Sequence, residues 1–88
     1  MSELYYESHV TLGPFDPERY EGLTLLCLDF GFGTADLTKK DTCTICTSKD
    51  IDLSKLKDDT RALVQALQRN DFKVTRYKIE GIILDERL

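Results

Sequence analysis

Residues 52–84 read DLSKLKDDTRALVQALQRNDFKVTRYKIEGIIL, and the hydrophobic period changes once within them. Over the first two thirds, Leu56, Thr60, Leu63, Val64 and Leu67 recur at helical spacing and make one apolar stripe. Asn70 offers a left-handed end for that helix, with Phe72 packing back beyond it. From Lys73 the period drops to two: Thr75, Tyr77 and Ile79 alternate with Arg76, Lys78 and Glu80, the pattern of a half-covered strand. A helix that feeds a strand at the end of a chain requires other strands for both to pack on.

Those strands are found upstream. LYYESHVTL (4–12) alternates, with Ser8, Val10 and Leu12 on one face and Glu7, His9 and Thr11 on the other, and Gly13-Pro14 ends it. A helix follows in FDPERYEGLTLLCLDFG, with Asp16 as N-cap, Pro17 at its first position, an apolar series at 20, 23, 26, 27 and 30, and Gly31 as C-cap. Gly22 within this helix suggests a close contact with the sheet. TADLTKK (34–40) and TCTICTSK (42–49) read as two short strands joined at Lys40-Asp41. The order β-α-β-β-α-β with right-handed crossovers predicts an α+β, ferredoxin-like sandwich: a four-stranded antiparallel sheet with two helices on one face. The expected core is Val10, Leu12, Leu23, Cys27, Phe30, Leu56, Leu63, Leu67, Tyr77 and Ile79.

With 88 residues, 41% hydrophobic and 32% charged, the chain reads as a single globular domain over residues 1–88. No apolar run approaches the length of a bilayer span and MSELYYES lacks the features of a secretion signal, so a cytoplasmic protein with no membrane partner is expected. Net charge is -4, distributed unevenly. Residues 1–38 carry seven acids against the single base Arg19, and the remainder carries eleven bases against nine acids. That distribution makes broad nucleic-acid binding unlikely, because such binding needs a concentrated cationic footprint; it suits a local anion site or an acidic surface docking on a basic partner.

The candidate site lies on the sheet face away from the helices. There the alternation places His9 and Thr11 beside Arg76 and Lys78, donors suited to a phosphate or carboxylate. The competing reading is that a solvated sheet face simply carries charge. SHVTL also resembles the H-x-T-hydrophobic strand motif of the two-histidine phosphoesterases, in which paired histidines serve as acid and base. His9 is the chain's single histidine, so that activity would require a homodimer bringing two copies of His9 together. The C-x-x-C of Cys43 and Cys46 has no second pair to complete a zinc site, and GFGTAD lacks the third glycine of a dinucleotide loop; no metal and no cofactor is expected.

YYESHVT, the KKDT turn and ALVQALQRNDFKVTRYKIEGIILDER together resemble a family of small uncharacterised bacterial and phage proteins that pair a Y-E-S-H-V-T strand with a terminal R-Y-K-I-E strand. The resemblance implies that His9, Arg76, Lys78 and Glu80 belong to the family's pattern, and it brings no activity with it. The expected function is a small non-catalytic binding module, such as a phage-type inhibitor of a host system, that occupies a protein surface or takes a phosphate-bearing ligand. The alternative is a His9-dependent phosphoesterase-like homodimer. The apolar run at Ile82, Ile83 and Leu84, on a strand expected at the sheet edge, suggests a protein partner or a second copy of the chain.

Overall fold

The computed structural model describes residues 4–36 and 44–83. Strand β1 spans Leu4–Leu12, a 3-10 turn spans Pro17–Arg19, and helix α1 runs Tyr20–Asp29. Strands β2 (Gly33–Asp36) and β3 (Thr44–Asp50) follow, then helix α2 (Leu53–Arg69) and strand β4 (Val74–Ile83). All pairings are antiparallel and the sheet order is β2-β3-β1-β4. This is the expected ferredoxin-like sandwich. The proposed turn at Lys40-Asp41 lies outside the described residues, and so does Cys43.

The faces of β1 follow the alternation: Ser8, Val10 and Leu12 are buried while Glu7, His9 and Thr11 are only half-covered. The core joins Val10, Leu12 and Cys46 of the sheet to Leu23 and Cys27 of α1 and to Leu63, Val64 and Leu67 of α2. The buried Ser8 needs a partner for its hydroxyl and finds it in Thr60 Oγ1 at 2.7 Å; Thr60 in turn donates to the Leu56 carbonyl, also at 2.7 Å.

Both helices end in the same way. Gly31, at φ 78°, donates to the Leu28 carbonyl while the Phe32 N–H reaches back to Cys27; Asp71, at φ 63°, donates to Gln68 while the Phe72 N–H reaches back to Leu67. Each is a Schellman end with a buried phenylalanine beyond the left-handed residue. The left-handed position of α2 is therefore Asp71, one residue later than expected, and Asn70 (φ -98°) instead donates its side-chain amide to Ala66. For α1 the same geometry buries Phe32 and leaves Phe30 half-exposed as the cap. Arg19, the lone base of the acidic half, ties the two halves together: its guanidinium lies 3.9 Å from the centre of the Phe72 ring and donates to the Asn70 and Asp71 carbonyls at the negative end of α2.

Three further expectations need correction. Tyr77 faces the helix side as its alternation requires, yet it is 53% exposed, because β4 is at the sheet edge and α2 packs chiefly over its neighbour β1. Ile79 is half-buried for the same reason. Gly22 is exposed, and a Cβ there would meet nothing within 4 Å, so no close contact with the sheet explains it.

Candidate functional site: the helix-free sheet face

Register sets this face. Across β1 and β4, His9 lies opposite Lys78 and Thr11 opposite Arg76. Across β1 and β3, His9 lies opposite Thr47 and Thr11 opposite Ile45. Directly opposed side chains in an antiparallel pair are neighbours with Cβ atoms roughly 5 Å apart, so the four expected residues form one patch. A bulge helps to aim it. The β1–β4 register shifts between Thr11 and Leu12, so that Arg76 opposes Thr11 but Val74 opposes Leu12, with Thr75 as the extra residue. Without that insertion Val74 would share the open face with Arg76; with it, Val74 packs against the core and the Thr75 hydroxyl donates to the Thr11 carbonyl at 3.2 Å.

The next row along the same face changes the electrostatics. Lys49, Glu7 and Glu80 lie side by side across β3, β1 and β4. Glu7 turns one carboxylate oxygen toward His9 Nε2 at 3.5 Å, and Glu80 accepts from Lys78 Nζ at 2.6 Å. The Lys78 hydrogen bond and then the Lys78 charge hold the Glu80 carboxyl below its usual range against the opposing effect of burial, with His9 and Arg76 adding to the attraction. Lys49 also lies 5.8 Å from the centre of the Tyr5 ring. The face thus alternates in sign, and two of its three non-histidine cations already meet a carboxylate or an aromatic ring. Arg76 has no ion-pair partner among the described residues.

Glu7 and Glu80 are placed by the sequence, Glu7 by the alternation and Glu80 by the family resemblance, but neither is counted among the expected site residues, although the signal is present. Glu7 stands two residues from His9 and Glu80 two from Lys78, the same-face spacing of a strand. At one end of the sheet, on its helix side, Leu4 and Ile83 oppose each other at 43% and 69% exposure, and Ile51, just beyond β3, is 71% exposed. On the helix side a groove of about 260 Å³ between α2 and β4 gathers Lys57 and Arg61 beside Tyr77. Among the described residues no group of three or more His, Cys, Asp or Glu side chains is placed to hold a metal, and no helix is long and apolar enough to cross a membrane.

No family model and no curated protein matches this chain. A solved structure does: that of a candidate antibiotic biosynthesis monooxygenase from Deinococcus radiodurans, 16% identical, with a TM-score of 0.55 over 94% of this chain and 95% of that one. At that identity the likeness establishes a shared ferredoxin-like fold and nothing about chemistry.

Proposed function

We propose that this chain is a non-catalytic binding module that covers the surface of a partner protein with the helix-free face of its sheet. The observation that carries the reading is the pairing of Glu7 with His9 and Glu80 with Lys78 within the patch formed by His9, Thr11, Arg76 and Lys78. A phosphate cradle presents converging donors that are free to bind an anion. Here the protein's own carboxylates lie against two of them, Glu80 accepting from Lys78 and Glu7 facing His9 at 3.5 Å, and a face of alternating sign suits another protein surface. Arg76 is then the anchor for an acidic group on the partner, and Tyr5 and Ile82, opposed to each other at the end of this same face, supply the apolar margin of the contact. Action by covering a surface, with no chemistry, is how a phage-type inhibitor of a host system would work. A second copy of the chain also qualifies as partner, since a face of mixed sign can complement itself about a two-fold axis.

The test compares Arg76→Glu on this face with Leu25→Asp on the exposed side of α1. Proteins captured by the wild type from its native cells, and any self-association seen by sedimentation, should be lost with Arg76→Glu and kept with Leu25→Asp. The opposite pattern refutes the assignment of the face. Hydrolysis of a model phosphodiester by the wild type but not by a folded His9→Ala variant would overturn the non-catalytic reading in favour of the phosphoesterase-like homodimer.

A further inference from the structure

Cys27 and Cys46 meet in the middle of the core. Cys27 lies in the last turn of α1, where its carbonyl accepts the Phe32 N–H, and Cys46 lies on β3 opposite Val10. Both are fully buried free thiols, and their sulfurs are 3.3 Å apart. A lone buried cysteine acts as a small hydrophobe; two in contact share a hydrogen bond between their sulfurs. The hydrogen bond between the two sulfurs, reinforced by burial, pushes the Cys46 thiol up, while the same bond pulls Cys27 down against burial. The pair therefore places the more acidic of the two thiols, Cys27, in contact with a second one.

We propose that Cys27 and Cys46 form an oxidative modification site, closing into an intramolecular disulfide when the protein meets a small oxidant of the hydroperoxide class. The Cys27 thiolate attacks one peroxide oxygen and the O–O bond breaks; the departing hydroxide takes up a proton as water, leaving a sulfenic acid on Cys27. The Cys46 sulfur attacks the Cys27 sulfur, the S–O bond breaks, and the hydroxyl leaves with the Cys46 proton as a second water. Two thiols lose two electrons and two protons, and one peroxide is reduced to two waters. Access comes through the less firmly held helix: α1 buries only Leu23 and Cys27, whereas α2 buries five residues. The bond would pin the end of α1 to β3, whose residues Ile45 and Thr47 flank Thr11 and His9, so oxidation stiffens the layer beneath the open face.

The experiment uses full-length chain carrying Cys43→Ser, in which only this pair can link internally. After exposure to hydrogen peroxide, intact mass should fall by two hydrogens, and non-reducing proteolysis should yield one species joining the Cys27 and Cys46 peptides. The melting temperature should rise by on the order of 10 °C, as expected for a cross-link between residues 19 apart in sequence, and dithiothreitol should reverse the gain. Unmodified thiols, or sulfinic acid at either position, under peroxide exposure that fully oxidises the denatured chain would overturn the proposal. The variant Cys46→Ala, confirmed as folded by its far-UV spectrum, should show no peroxide-dependent thermal gain; a gain equal to that of the cysteine pair would also overturn it.

Discussion

The buried hydroxyl chain from Ser8 through Thr60 to the Leu56 carbonyl supports a quantitative prediction, because its protons can be counted. Thr60 has one hydroxyl proton and gives it to Leu56, so the 2.7 Å contact with Ser8 must use the Ser8 proton. The two ends are then unequal. Thr60→Val leaves the fully buried Ser8 hydroxyl with neither water nor acceptor, and should cost about 1–3 kcal/mol. Ser8→Ala removes a donor but leaves Thr60 bonded to Leu56, and should cost about 0.5–1.5 kcal/mol. The double variant removes both polar groups together, so its cost should fall short of the sum of the singles by about 1 kcal/mol. Urea unfolding monitored by far-UV circular dichroism, with equal slopes across the four proteins, measures all three differences. Additivity within about 0.3 kcal/mol would show that the two hydroxyls are not coupled and would refute the proton count.

Other outcomes follow from particular contacts. Truncating the fully buried Leu63 to alanine should cost about 2–5 kcal/mol in the same unfolding assay, and a loss well under 1 kcal/mol would displace Leu63 from the core. Asp71→Gly should stabilise by about 0.5–1 kcal/mol, because an exposed residue at φ 63° gains when its Cβ is removed; a destabilised variant would contradict the left-handed assignment. Lys78→Met should raise the titration midpoint of Glu80, read from its side-chain carboxyl resonance, since Lys78 supplies the two leading causes that hold it low; an unmoved midpoint would break that link. Glu80 and Asp50 both titrate below the ordinary carboxylate value, Asp50 held first by the Asp52 N–H and then by Lys55. Their contributions are complete above the unfolded value and are lost as pH falls through the folded one. Acid unfolding of the Lys78→Met protein should accordingly depend less on pH below about pH 4.5 than that of the wild type.

The parts legible in the sequence were those where one period settles one element. Alternation in β1 placed Ser8, Val10 and Leu12 inward, the stripe on α2 named all five of its buried residues, and the same alternation brought His9, Thr11, Arg76 and Lys78 to one face. What escaped depends on how elements lie against each other. Tyr77 obeys its pattern yet stays exposed, because coverage of an edge strand depends on helix placement. Thr75 reads as an ordinary alternating residue, but the register of β1 makes it a bulge. The Arg19 clamp on α2 and the Cys27–Cys46 contact span 51 and 19 residues, distances over which local spacing carries no information. Glu7 and Glu80 were within reach, as carboxylates two residues from a cation on a strand face.

The bulge at Thr75 also bears on how the sheet ends. A flat, regular edge strand is a template onto which a foreign strand can zip, and repeated zipping is the route to fibres. An inserted residue in β4 twists the strand and offsets its outward amides, so a strand growing along it from Ile83 would fall out of step on reaching Arg76. Growth of the sheet is capped at one end and, among the described residues, unguarded at the other, where Ile82 and Ile83 run regularly opposite Tyr5 and Leu4. Deleting Thr75 would therefore be expected to convert a short sticky segment into a full-length template for aggregation, while leaving the composition of the strand almost unchanged.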